Sequence, residues 1–191
     1  LVLLAAGCGA PGDQSVAGVD PGCFNRTTTE IGGPFTLTDH TGVERTEQDM
    51  MGGRSLVFFG FTYCPDICPI TLYKAGRAID LLEDGVEQPR TVFISVDPER
   101  DTPETVTQYI QSNGFPEDII GLSGTPEQLT EVSENFLAPF EKVEDEATAS
   151  GYLVNHSAFL YLMDADWNLE SFFTPSDTPE SIAACLTALD R

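Results

Sequence analysis

Ser55-Leu56-Val57-Phe58-Phe59-Gly60-Phe61 is apolar at almost every position, and a strand of that composition is at home only where other layers cover both of its faces. A second run of the same kind, Thr91-Val92-Phe93-Ile94-Ser95-Val96, ends at Asp97, and Ala158 to Met163 reads as a third. Helical patterns separate them. Leu72, Ala75, Ile79 and Leu82 share one helix face, and Thr-Pro-Glu at 102–104, 125–127 and 178–180 is three times an N-cap, a first-turn proline and an early acid. The residues after each of the three segments differ, so these are helix starts rather than an internal repeat. Phe35 to Thr38 alternates, Asp39-His40-Thr41-Gly42 supplies a turn and Val43 to Thr46 returns, which predicts an N-terminal β-hairpin. Asp164 to Asn168 is a turn before a last strand, Leu169 to Phe173. The order is hairpin, strand, helix, strand, helix, helix, strand, strand, helix. It implies an α/β fold with a central mixed sheet flanked by helices, largely parallel with an antiparallel edge.

The 191 residues, 41% hydrophobic, suffice for one substantial core, and no composition break argues for two. We read residues 31–191 as one domain and residues 1–30 as a signal remnant, anchor and tether. Leu1-Val2-Leu3-Leu4-Ala5-Ala6-Gly7-Cys8 resembles the end of a bacterial lipoprotein signal, which implies lipidation at Cys8, although Ala5 stands where a leucine is usual. The run is too short to span a bilayer as it stands. Acids outnumber bases 31 to 9, a formal charge of −22. Such a surface repels nucleic acid and anionic lipid and favours solubility.

Five cysteines are present, Cys8, Cys23, Cys64, Cys68 and Cys185. Cys23 lies alone in a Pro/Gly-rich stretch and reads as a free thiol with no assigned role. Cys185 shares a helical face with Ile182, Leu186 and Leu189 and reads as a small buried hydrophobe.

Cys64 and Cys68 sit where the first apolar strand gives way to a helix, the end of a strand at which ligands of α/β sheets bind. On a helix their spacing keeps both side chains on one face about 6 Å apart along the axis. Two thiolates so placed can share a metal ion or close into a disulfide, and a helix N-terminus favours the thiolate. The competing reading of Cys68, in line with Leu72 and Ala75, is a small core residue. Two histidines remain. His40 lies in the hairpin turn and reads as structural. His156, at the start of the third apolar run, is on its position alone more readily a locally hydrogen-bonded residue than a ligand.

Gly60-Phe61-Thr62-Tyr63-Cys64-Pro65-Asp66-Ile67-Cys68-Pro69, Ser95-Val96-Asp97-Pro98-Glu99-Arg100-Asp101-Thr102-Pro103 and Tyr152-Leu153-Val154-Asn155-His156-Ser157 resemble, in order, the three signature segments of the Sco/SenC family. The resemblance spans residues 30–191 and implies a thioredoxin-like (peroxiredoxin-like) domain binding one copper, Cu(I) or Cu(II), through Cys64, Cys68 and His156. It further implies assembly of the binuclear copper centre of cytochrome c oxidase subunit II, possible exchange with another periplasmic copper chaperone, and a place on the periplasmic side of the inner membrane. Two positions depart from the family pattern: Tyr63 stands where histidine is frequent, and Asn155 where aspartate commonly precedes the ligand.

A thiol-disulfide oxidoreductase, with Cys64 attacking and Cys68 resolving, is the main alternative. Against it, the spacing is C-x-x-x-C rather than the C-x-x-C of thioredoxins, and no proline lies between Pro139 and Pro175. A copper or redox sensor would use the same three ligands.

Overall fold

The computed structural model describes Cys23, residues 30–145 and residues 151–190. The expectations for Cys8 and for the tether, Cys23 apart, lie outside the described residues.

The hairpin forms first, from β1 (Thr36–Asp39) and β2 (Glu44–Thr46). Its turn is held by the buried Asp39, whose Oδ1 accepts hydrogen bonds from the Thr41 and Val43 amides and the Thr41 hydroxyl. The apolar run becomes β3 (Ser55–Gly60), buried at all six positions as its composition predicts. Helix α1 (Ile67–Asp80) leads to β4 (Arg90–Ser95), and α2 (Pro103–Ile110) leads to β5 (Ile119–Ser123). Next come α3 (Pro126–Asn135), a second hairpin of β6 (Phe140–Glu144) and β7 (Tyr152–His156), then β8 (Leu160–Met163), β9 (Leu169–Phe173) and α4 (Pro179–Leu189). All three Thr-Pro-Glu segments start helices as expected. Thr102, Thr125 and Thr178 each accept a hydrogen bond from the amide three residues on, with proline in the first turn.

Seven strands make one sheet in the order β2-β1-β5-β4-β3-β8-β9. β3 runs parallel to β4 and β4 to β5, whereas β1 joins β5 and β8 joins β3 antiparallel. The sheet is thus parallel only at its centre and antiparallel on both flanks, which corrects the expectation of a largely parallel sheet with one antiparallel edge. Three strands, β5, β6 and β7, were absent from the predicted order. β5 is short and broken by Gly121, and β6 exposes four of its five residues, so neither shows a continuous apolar run. The third apolar strand begins at Leu160 rather than Ala158, because Phe159 turns outward.

Successive β3 side chains pack on opposite faces. Phe58 lies 6.5 Å from Phe93, while Phe59 meets Phe136 edge-on at 5.3 Å and Tyr161 at 6.1 Å. Helix α1 approaches the loop after α2 so closely at Gly76 that a Cβ there would lie 2.5 Å from the Gly114 carbonyl oxygen.

Cys185 is fully buried on α4, as its helical face predicts, but it is not a mere hydrophobe, and Cys23 is not free. The two form a disulfide with a Cα–Cα distance of 5.1 Å across 162 positions of sequence. A pairing over that distance leaves no local spacing signal, which is why the sequence hid it. Among the described residues, no helix is long and apolar enough to cross a membrane.

Candidate metal centre

The site stands at the carboxyl ends of the parallel strands β3 and β4. After Gly60 the chain turns through Thr62, and Asp101 fixes that turn: its carboxylate accepts from the Thr62 amide (2.9 Å), the Thr62 hydroxyl (2.6 Å) and the Ser95 hydroxyl (2.6 Å). Asp101 is almost fully buried, and burial pushes its pKa up against the lowering effect of those hydrogen bonds.

Cys64 precedes α1 rather than lying on it, which corrects the expectation of two cysteines one helical turn apart. Its Sγ accepts the Cys68 amide at 3.3 Å, so the sulfur takes up one of the backbone donors that a helix start leaves unpaired. Cys68 is in the first turn, fully buried, beneath Gly60. A Cβ at Gly60 would lie 2.9 Å from the Cys68 sulfur, so the last residue of β3 must be small for the thiol to fit.

His156 ends β7, opposite Phe140, and is not at the start of the following strand as the sequence suggested. The second hairpin carries it back over the cysteines, where its ring stands edge-on to Phe58 (6.0 Å) and Phe61 (5.7 Å). Nδ1 donates to the Ser157 carbonyl at 2.8 Å. That bond orients the ring and turns Nε2 toward the cysteines, 3.3 Å from the Cys68 sulfur. The three donor atoms of Cys64, Cys68 and His156 all lie within 4.8 Å of one another, the one such group among the described residues.

The two thiols differ sharply. The hydrogen bond from the Cys68 thiol, followed by those from His156 and the Asp66 and Cys68 amides, draws Cys64 down to about 4 against the opposing effect of burial. Burial first, then the hydrogen bond to Cys64 and its charge, push Cys68 far above the ordinary thiol value. The two thiols are thus pushed in opposite directions, Cys64 toward the thiolate and Cys68 toward the protonated thiol.

His40 takes the structural part expected of it, accepting the Gly121 amide through Nδ1 at 3.2 Å. Tyr63 is exposed and Asn155 faces outward opposite Glu141. Sequence reasoning missed Asp101, Arg100 and Tyr152. The Asp97–Thr102 segment was legible as a motif, but nothing in its spacing shows which side chains reach across to the cysteine turn and to β7.

A family model described as SCO1/SenC matches residues 25–190. The chain belongs to that family. SenC of Rhodobacter capsulatus is 40% identical over 158 residues, covering 82% of this chain and 69% of SenC. Mitochondrial SCO1 homologues of Arabidopsis thaliana and Homo sapiens are 42% and 37% identical over 80% and 82% of this chain, which spans only 45% and 52% of their lengths. Among solved structures, copper-bound ScoI of Arabidopsis thaliana is 39% identical with a TM-score of 0.77, covering 83% of this chain and 98% of that one. Copper-bound ScoI of Bradyrhizobium japonicum is 38% identical with a TM-score of 0.71, covering 82% and 98%. The fold is thioredoxin-like.

Proposed function

We propose that this chain is a copper metallochaperone that serves the binuclear copper centre of cytochrome c oxidase subunit II, with Cys64, Cys68 and His156 as the copper ligands. The observation that carries the reading is the convergence of two sulfurs and one imidazole nitrogen, from segments 88 residues apart, within 4.8 Å. This donor set suits copper: thiolates are soft ligands for Cu(I), and imidazole serves both oxidation states. A structural zinc site takes four protein ligands, and this cluster offers three.

The chain's own groups favour loading and release. Cys64 presents a thiolate, Cys68 gives up its proton as it becomes a ligand, and the Ser157 carbonyl keeps His156 Nε2 turned toward the sulfurs. His156 is only partly buried, so an acceptor's ligands can approach from its side and take the metal by exchange, without a free ion. The copper-bound Arabidopsis and Bradyrhizobium relatives support the choice of metal.

The Cys23–Cys185 disulfide suits an oxidising compartment and so supports the bacterial envelope, on the periplasmic side of the inner membrane. Lipidation at Cys8 would hold the domain there, where a second periplasmic copper chaperone could supply the metal. The low pKa of Cys64 also favours a second reading, a thiol-disulfide reductase acting on oxidase cysteines. Anaerobic titration of Cu(I) and Cu(II) into wild type, Cys64→Ser, Cys68→Ser and His156→Ala separates the two. The metallochaperone reading expects one copper per chain and weakened binding in every variant. Unchanged affinities in His156→Ala, together with brisk dithiol reductase turnover, would sink it.

A further inference from the structure

Among the described residues, β6 and β7 form a two-stranded sheet that shares no backbone ladder with the seven-stranded one. An isolated hairpin of this size is marginal in water, so the place of His156 over the cysteines depends on side chains that fasten the hairpin to the body of the domain. One such fastening is at the start of β7, around Arg100.

The Arg100 guanidinium carbon lies 3.6 Å from the centroid of the Tyr152 ring and 5.0 Å from that of Tyr63. Its Nε donates to the Asp97 carboxylate and its Nη1 to the Tyr152 carbonyl at 3.2 Å, while the Tyr152 hydroxyl donates to Asp97 Oδ1 at 2.8 Å. Arg100 Nη2 is buried without a hydrogen-bond partner, so beyond the Nε and Nη1 bonds the guanidinium is held by its cation–π contacts with the rings. A second cation, Lys142 of β6, sits 3.9 Å from the Tyr152 centroid and pairs with Glu99 at 2.8 Å. Tyr63 immediately precedes Cys64, and Tyr152 opens the strand that ends in His156. One guanidinium therefore touches both segments that bring donor atoms to the site.

We propose that Arg100, clamped between Tyr63 and Tyr152 and anchored on Asp97, is a positioning residue that sets the distance of His156 from the cysteine pair. The inference deepens the copper reading and rests on it for its consequence, though the clasp itself exists without metal. Tyr63 then has a part of its own: where the family pattern often has histidine, this chain places a ring that completes the stack. The ring is half exposed, so its removal leaves the core intact.

The test uses Tyr63→Leu, Tyr63→Phe and Arg100→Lys with two readouts. In the metal-free protein, amide hydrogen exchange at residues 152–156 should quicken about tenfold or more in Tyr63→Leu and Arg100→Lys, and Tyr63→Phe should match wild type. In the copper-loaded protein the first two should bind Cu(II) about 10- to 100-fold more weakly, the range expected for a group that orients a ligand, with a shifted sulfur-to-copper charge-transfer band. Exchange within twofold of wild type in both Tyr63→Leu and Arg100→Lys would overturn the proposal, whatever the copper affinities. A wild type that bound no copper would count against the proposed function alone, since the exchange readout still decides the clasp.

Discussion

Replacing Cys23 by serine should cost this domain more stability than its place near the chain start suggests. The disulfide joins positions 162 apart, nearly the whole length of the fold. In the chain-entropy model, closing a loop of that length restricts the unfolded chain by about 5 kcal/mol, and measured effects usually reach about 2–4 kcal/mol. In the folded state little is lost beyond the bond, because Cys185 is fully buried and its thiol can remain as a small apolar group. We therefore expect Cys23→Ser to be less stable by about 3 kcal/mol, which for a domain of this size lowers Tm by roughly 6–12 °C. Urea and thermal unfolding, followed by far-ultraviolet circular dichroism in a Cys64→Ser/Cys68→Ser background, measure this without interference from the other thiols. A reductant should bring the Cys23-containing protein down to the same midpoint and leave Cys23→Ser unchanged. A loss below about 1 kcal/mol, in the range of an ordinary substitution, or a midpoint insensitive to reductant, would refute the reasoning.

Gly60→Ala should damage the site from below. The added Cβ would lie 2.9 Å from both the Cys68 sulfur and Phe93 Cε2, two buried groups with no room to retreat, so overpacking should cost about 1–3 kcal/mol and weaken copper binding; an alanine variant with wild-type unfolding midpoint and affinity would contradict the close approach. Cys64 should be the first thiol alkylated by iodoacetamide in the reduced, metal-free protein. With its pKa drawn down to about 4 the thiolate fraction is already complete at pH 6, so the rate should stay level from pH 8 to pH 6. A tenfold fall per pH unit over that range, the behaviour of an unperturbed thiol near pKa 8.5, is the contrary result; peptide mass spectrometry identifies the modified residue.

How far the sequence showed this structure depended on the range over which each signal acts. β3 and β4 were legible because both faces of each strand are buried and the whole run is apolar. The three Thr-Pro helix starts were legible because capping is local. The β6–β7 hairpin was not, since β6 is almost wholly exposed and its pairing leaves only a weak alternation. That omission misplaced His156 at the head of β8, although the family resemblance had already joined it to the cysteines. Cys64 and Cys68 could be found from their position alone, but their inequality follows from the hydrogen bond that Cys68 gives Cys64 and from the burial of Cys68, which spacing does not show. The disulfide, the Asp101 brace and the Arg100 clasp all link distant positions, and no pattern along the chain announces them.

X-ray absorption at the copper edge of the loaded wild-type domain tests the central claim most directly. Two sulfur scatterers and one imidazole, with the imidazole contribution lost in His156→Ala, are what a centre built from Cys64, Cys68 and His156 requires. A first shell of sulfur alone, or an imidazole contribution that survives in His156→Ala, would contradict it.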